Sequence, residues 1–214
     1  MRLINTIEIN PVDFLPEREK EQIDFMEERA QTWARCFSSG KLAQLRPIQK
    51  GSYLVDINTI TDDELEEIVK NKLREAELSD FDEKFRRMYG GIVLTEEDTL
   101  YIQPSCCTDI GDIVEWDDIH TKATGEWHKL WIGHPWVYYS IEEDTVAFSG
   151  YTESTPAAFN DLPLLIRVSR QDLLRELQQI RSRHEHFQVR VQKALEKLGT
   201  DDSEQVSKLM TGMA

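Results

Sequence analysis

The apolar residues in the first third of the chain recur at helical spacing. Over residues 16–37 they lie three or four positions apart, at Ile23, Met26, Ala30, Trp33, Ala34 and Phe37. This spacing predicts one face of a helix, which Gly40 helps to end. A second amphipathic helix is predicted over residues 61–77, because Thr61 and Glu64 have the spacing of a capping box and apolar residues follow on one face.

Shorter elements flank the second helix. Residues 52–57 are rich in β-favouring side chains and predict a strand. Phe81, Phe85 and Met88 repeat at helical spacing before a pair of glycines at 90 and 91, which predicts a short third helix ending there. The chain up to residue 90 is therefore expected to be mainly helical.

The pattern changes to β-structure after residue 91. Residues 92–94 and 100–102 flank a polar segment and predict a hairpin, and the apolar spacing over residues 110–116 predicts a short helix. Further apolar and aromatic runs are separated by turn-forming residues, at 127–132, 136–141, 145–149 and 162–168. These runs predict an antiparallel meander.

The last predicted helix is the longest, over residues 169–198. Its apolar stripe alternates spacings of four and three, through Leu173, Leu177, Ile180, His184, Phe187, Val191, Ala194 and Leu198. We expect this stripe to cover a sheet of its own domain, with a homodimer through Leu173–Leu198 as the alternative. The helix is basic and the rest of the chain acidic, so it can dock against its own protein electrostatically. Residues 199–214 are expected to be a poorly ordered tail.

Together these elements predict a single α+β domain over residues 1–214. Its parts are a helical segment (1–90), a sheet-rich segment (91–168), the long helix (169–198) and the tail (199–214). The expected architecture is a central antiparallel sheet covered by the N-terminal helices and the long C-terminal helix.

Charge and composition exclude several classes of function. The 214 residues carry 40 acidic and 25 basic side chains, a net charge of -15, which argues against nucleic-acid binding. No apolar run is long enough for a bilayer, and the N-terminus has no secretory signal, so we expect a cytoplasmic protein without a membrane partner. Three cysteines, two of them adjacent, do not form a disulfide framework.

Residues 101–139 concentrate the chemically distinctive side chains. They hold four of the five tryptophans, two of the three cysteines and three of the five histidines. Each Trp or His ring carries a nitrogen that needs a partner when buried, so this crowding indicates either a core or a recognition surface.

An acidic stretch within this region suggests a binding surface. Five carboxylates accompany Trp116, at Asp109, Asp112, Glu115, Asp117 and Asp118. They could steer a basic protein towards aromatic anchors, flank a sugar as in a glycosidase, or form a solvated helix face. The first hypothesis assigns binding to six residues, namely Trp116, Asp117, Asp118, His134, Trp136 and Tyr138.

An enzyme remains the alternative. Cys106 or Cys107 lies just before the predicted short helix and could be a nucleophile with His120 or His128 as base, in a thiol-dependent enzyme or other hydrolase. The same cysteines could equally be small packed hydrophobes. Their spacing, with His134 included, does not favour a metal site, and no phosphate loop or cofactor motif is present. We therefore expect no cofactor, and the sequence leaves open whether the protein is an enzyme.

The order of elements resembles that of the SUKH superfamily, which has the SMI1/KNR4-like fold. The resemblance covers residues 89–180. It rests on an N-terminal helix, the strand motifs Trp127-His128-Lys129-Leu130-Trp131-Ile132-Gly133 and Trp136-Val137-Tyr138-Tyr139-Ser140-Ile141, and the helix after Ser169. Many members of that superfamily are bacterial immunity proteins that neutralise toxins by binding them. The resemblance thus implies a non-enzymatic α+β binding module, and an acidic surface would suit a basic toxin.

Overall fold

A computed structural model of the chain describes residues 1–16, 28–78, 87–153 and 162–213. It confirms the α+β class. The chain divides into two compact units, the first formed by residues 1–5 and 89–184 and the second by residues 6–88 and 185–214. Whether the whole chain acts as a single domain stays a prediction. In the described part, no helix combines the length and apolarity needed to cross a membrane.

The elements have the following bounds. The strands are β1 (Arg2–Glu8), β2 (Leu54–Asp56), β3 (Gly90–Glu96), β4 (Thr99–Ile102), β5 (Trp127–Leu130), β6 (Val137–Glu142), β7 (Thr145–Ser149) and β8 (Leu164–Ser169). The α-helices are α1 (Arg29–Cys36), α2 (Asp62–Leu78), α3 (Ile113–Asp117), α4 (Arg170–Lys197) and α5 (Ser203–Thr211). Short 3-10 turns occupy Pro11–Phe14, Ile110–Asp112 and Asp118–His120.

Two antiparallel sheets contribute to the first unit, where the sequence predicted one. In one sheet, β3 lies between β1 and β4. The other is the predicted meander, in the order β5-β6-β7-β8, with Trp127 opposite Ser140 and Tyr139 opposite Phe148. Tyr139 and Phe148 share a buried apolar core with Leu173 at the start of α4. Burying these large side chains supplies the main stabilising term of the unit.

The second unit contains the end of β1, which pairs with β2 through Thr6 opposite Asp56. The predicted capping box of α2 is confirmed, because the Thr61 amide donates to Glu64 Oε2 at 2.8 Å and the Glu64 amide donates to Thr61 Oγ1 at 3.3 Å. Arg190 of α4 donates to Asp62 Oδ1 at 2.8 Å. This ion pair supports the prediction that the basic helix docks on its own acidic chain.

The predicted helix over residues 16–37 is described only in part. Its C-terminal portion is present as α1. Residues 17–27 lie outside the described residues, as do Phe81 and Phe85 of the predicted third helix. Neither prediction is tested there.

Strand β1 was missed by the sequence patterns. Five consecutive residues are buried in it, from Leu3 to Ile7, so there is no alternation of apolar and polar positions to read. Asn5 is buried at 2% exposure, and its side-chain amide donates to the carbonyl of Ile180 at 3.1 Å. That hydrogen bond offsets the cost of placing an amide in a core.

The prediction of a poorly ordered tail was wrong. Residues 203–211 form α5, in which Ser207, Met210 and Thr211 are buried. Gln188 donates to Ser207 Oγ at 2.6 Å, and the Met88 amide donates to the carbonyl of Met210 at 2.9 Å. These contacts within the second unit give the short helix the tertiary support that a nine-residue helix lacks by itself.

The apolar stripe of α4 is covered by the chain itself. Seven of its eight members are buried, namely Leu173, Leu177, Ile180, His184, Phe187, Val191 and Ala194. This burial agrees with the expectation that the stripe packs within its own chain. The alternative homodimer stays a prediction. His184 is 3% exposed, as expected for a core histidine.

Candidate binding surface

The acidic stretch of the first unit is held by a reciprocal helix cap. The Gly111 amide donates to Asp109 Oδ1 at 2.8 Å, and the Asp109 amide donates to Asp112 Oδ2 at 3.0 Å. These bonds satisfy amide groups that the first turn would otherwise leave unpaired. They also fix two carboxylates next to each other.

Asp112 connects this acidic stretch to a tryptophan. Burial raises the pKa of its carboxyl to about 6, and the negative charges of Asp109 and Glu115 act in the same direction. Two hydrogen bonds oppose this shift, one from the Asp109 amide and one from the side chain of Trp131. The carboxylates and the Trp131 ring are therefore neighbours on the first unit.

Three further side chains extend the surface from Trp131. The ammonium of Lys129 lies 5.3 Å from the Trp131 ring centroid and 3.7 Å from that of Trp136. The ring of His134 meets Trp136 edge to face, at 5.1 Å between centroids. The two indoles thus hold a cation between them, an arrangement that is attractive because each ring face is electron-rich.

Backbone pairing holds this loop in place. Trp136 and Thr152 exchange two amide-to-carbonyl bonds of 2.8 Å, and the Ser105 amide donates to the carbonyl of Ile132 at 2.7 Å. Gly133 has a φ of 88°, and a Cβ placed on it would overlap the carbonyl oxygen of Cys106. Only glycine allows both this conformation and this close approach.

We call this set the acidic–aromatic surface. It consists of Asp109, Asp112, Glu115, Asp118, Lys129, Trp131, His134 and Trp136. Asp118 belongs to it because Glu115 and Asp118 act together on one buried side chain, the Tyr139 phenol, whose pKa is raised to about 12 by burial first and by these two charges second. Lys129, His134 and Asp118 are exposed, and both indoles are half-buried.

Two of the predicted aromatic anchors do not reach the surface. Trp116 is 1% exposed, with its ring 5.9 Å from that of Phe148 in the core, and Tyr138 is 4% exposed. The prediction of these two as binding residues is therefore corrected. Trp116 shares its buried helix face with Ile113, and Tyr138 lies in a strand that is buried on both faces.

The two predicted steering charges have cationic neighbours. The guanidinium of Arg181 donates from Nε to Asp117 Oδ1 at 3.0 Å, and Lys122 Nζ lies 3.1 Å from Asp118 Oδ2. The second pair is exposed and contributes little. Asp118 therefore belongs to a weak, solvent-exposed pair, whereas Asp117 is tied to α4.

The binding hypothesis from the sequence did not include Lys129 and Trp131, which belong to the surface, and it did not identify Tyr139, the buried phenol on which Glu115 and Asp118 act. Tyr139 is completely buried, and its hydroxyl has no hydrogen-bond partner in the described part of the chain. The signal for Lys129 was present in the sequence, since a lysine two positions from one Trp in a strand lies on the same face as that Trp.

The thiol-enzyme alternative gains no geometric support. Both Cys106 and Cys107 are exposed, and the Cys106 thiol donates to the carbonyl of His134 at 3.4 Å. A hydrogen bond with Cys106 raises the pKa of the Cys107 thiol, with the charge of Cys106 adding to it, whereas a nucleophile needs a lowered pKa. His128 bonds instead to the carbonyl of Ala123 at 3.1 Å.

Within the described residues, no group of three or more His, Cys, Asp or Glu side chains is placed to hold a metal ion. Comparisons with known proteins found no matching family model, no matching curated protein and no matching solved structure.

Proposed function

We propose that this chain is a non-enzymatic protein-binding module that recognises a basic protein through the acidic–aromatic surface. The observation that carries the proposal is the continuous set of charge, hydrogen-bond and cation–π interactions from Asp109 and Glu115 through Asp112 to Trp131, Lys129 and Trp136. Carboxylates beside half-buried indoles provide both parts of a protein-recognition site, namely steering charge and anchors.

The charge distribution supports a basic partner. The first unit has 16 acidic and 8 basic side chains, a net charge of -8. Between residues 96 and 126 the chain has nine acidic residues and one lysine, Lys122. Such a one-sided stretch raises the association rate of a cationic protein and repels acidic ones.

Lys129 indicates how the partner would be held. Its ammonium rests on Trp136 with no carboxylate bonded to it in the described part of the chain, so the indole face already accepts a cation. An arginine of the partner could displace it, because a guanidinium stacks on indole more extensively and is more weakly hydrated. Asp112 beside Trp131 would supply the opposite charge.

The biological setting belongs to the same proposal. We place the protein in a bacterial cytoplasm, where its three cysteines would stay reduced. The resemblance to the SUKH superfamily gives the proposed partner its specific form, a basic toxin that this protein binds and neutralises.

Capture of a partner tests the proposal. The wild-type chain and two double variants would be immobilised and exposed to lysate of the encoding organism, at low and high salt. The charge variant carries Glu115→Gln and Asp118→Asn, whereas the control carries Glu185→Gln and Asp201→Asn, two exposed positions of the second unit. Both variants lose two negative charges.

We expect wild type and control to retain one basic protein in stoichiometric amount, and the charge variant to retain several-fold less. High salt should release that protein, because screening weakens contacts between exposed charges. Equal retention by the charge variant and the control would refute the assignment to this surface. Retention of no basic protein by wild type would refute the function.

A further inference from the structure

The two adjacent cysteines form a feature that the proposed binding function does not use. Cys106 and Cys107 are both exposed and hydrogen-bond to each other through their thiols. Cys107 has a φ of 68°, in the left-handed region that side chains other than glycine rarely occupy. The backbone is thus held in an uncommon conformation where two thiols face each other and the solvent.

Contacts on both sides fix the segment. Cys106 forms an isolated β-bridge with His134, and Thr108 Oγ1 donates to the carbonyl of Ser105 at 2.8 Å. The carbonyl of Cys106 lies against Gly133 so closely that no side chain fits there. Rotation about the backbone of this segment is restricted, and the hydrogen bond between the two thiols brings their sulfur atoms together.

From this geometry we infer that Cys106 and Cys107 are a reversible dithiol–disulfide site, which a peroxide oxidises to a disulfide between neighbouring residues. Neither the binding surface nor a catalytic role is needed for this inference. It requires only that the two sulfurs be close to each other, exposed, and not already part of another disulfide.

The reaction proceeds in two balanced steps. The Cys106 thiolate attacks one oxygen of hydrogen peroxide, which breaks the O–O bond and, with one proton, yields a sulfenic acid and water. The Cys107 thiol then attacks that sulfur, the S–S bond forms, and a second water leaves. Two thiols lose two electrons and two protons, and the peroxide is reduced to two waters.

The order of the two steps follows from the raised pKa of the Cys107 thiol. The hydrogen bond with Cys106 raises the pKa of the Cys107 thiol, so Cys107 is assigned the second step. Cys107 remains protonated beside Cys106 and acts as the resolving thiol. A sulfenic acid with a thiol next to it closes to a disulfide before further oxidation.

The disulfide is expected to be easily reduced. Neighbouring Cα atoms are about 3.8 Å apart, which is shorter than the separation of about 4.4–6.8 Å that relaxed disulfides span. The ring formed by adjacent cysteines is therefore strained, and strain makes a disulfide a better oxidant. This places the site among labile disulfides and separates it from structural ones.

Thiol counting and peptide mass mapping test the inference. The full-length chain would be treated with a small excess of hydrogen peroxide, denatured, alkylated and digested. We expect alkylatable thiols to fall from three to one, with half-buried Cys36 the one that remains. The peptide with Cys106 and Cys107 should be lighter by two hydrogen atoms, and glutathione should restore three thiols.

Three single variants serve as controls. Cys36→Ser should leave the loss of two thiols unchanged, whereas Cys106→Ser and Cys107→Ser should each abolish the cross-linked peptide. The inference is overturned if all three thiols stay alkylatable in wild type. It is equally overturned if the two cysteines end as separate sulfinic acids or link two copies of the chain.

Discussion

Replacing Gly133 by alanine should disrupt the loop that carries His134 and Trp136. An alanine Cβ at this position would overlap the carbonyl oxygen of Cys106 and lie 2.9 Å from the carbonyl carbon of Ser105. Both obstacles are backbone atoms, so no side chain can move aside. The segment at 105–106 must shift and strain its hydrogen bond from Ser105 to Ile132, which measures 2.7 Å.

The expected magnitude has two parts. An alanine held at a φ of 88° costs about 1–2 kcal/mol. Relieving the overlap costs about 1–3 kcal/mol more, as for other overpacked sites. Gly125→Ala is a matched control, because Gly125 has a φ of 83° and nothing within 4 Å of an added Cβ. Gly125→Ala should therefore lose only the free energy that alanine costs at a positive φ, without the cost of an overlap.

Urea unfolding followed by tryptophan fluorescence measures the difference. Four of the five tryptophans lie in the first unit, so the signal reports mainly on that unit. With a slope of about 1–3 kcal/mol per molar urea, an additional loss of about 1–3 kcal/mol lowers the midpoint of Gly133→Ala by roughly 1 M below that of Gly125→Ala. Coinciding midpoints would refute the close approach of Gly133 to Cys106.

Three further predictions concern the same unit. Asp112→Asn should flatten the pH dependence of stability. Burial raises the pKa of this carboxyl to about 6, so the wild-type fold binds the proton more tightly than the unfolded chain and becomes more stable as pH falls from about 7 to 4. Because the carboxyl is only half-buried, solvent screening reduces this gain to about 1–2 kcal/mol. Parallel pH profiles of the urea midpoint would contradict this. Trp116→Ala should cost about 3–5 kcal/mol, because the ring is buried, and a thermal shift typical of surface substitutions would argue for an exposed ring. Arg181→Gln should cost only about 0.2–1 kcal/mol, because its ion pair with Asp117 is half-exposed, and that loss should vanish in high salt; a salt-independent loss would point to packing instead.

Periodicity predicted the elements that have one polar face. The stripe of α4 shows the three-and-four spacing that solvent on one side imposes. The capping box of α2 was recognisable from the spacing of Thr61 and Glu64, and the meander was predicted from its runs of β-favouring residues and the turns between them. Strand β1 has no such face, because Leu3 to Ile7 are all buried. A strand that is buried on both sides gives no period-two signal, and Asn5 and Thr6 break the apolar run besides.

Helix α5 was missed for a different reason. Its nine residues include only three large apolar side chains, at Val206, Leu209 and Met210. A helix this short is not stable by its own propensity, so its formation depends on contacts such as that of Ser207 with Gln188. Such contacts are not visible in a local pattern.

For the candidate site, composition identified the region but did not show which of its tryptophans are buried and which lie at the surface. The crowding of Trp and His between residues 101 and 139 indicated either a core or a recognition surface, and the rings of this region include both buried and exposed ones. Trp116 packs inside, whereas Trp136 lies at the surface with Lys129. To assign Trp116 to the core and Trp136 to the surface, one must know that Trp116 on α3 packs against Phe148. That contact depends on the fold and is not visible in the local sequence.

The most direct test of the binding surface is the kinetics of association with the captured basic protein. The variant with Glu115→Gln and Asp118→Asn should lower the association rate constant several-fold at low salt and flatten its salt dependence, with little change in dissociation. Trp136→Leu should instead speed dissociation. Unchanged association for the charge variant, with unchanged dissociation for Trp136→Leu, would contradict recognition through the acidic–aromatic surface.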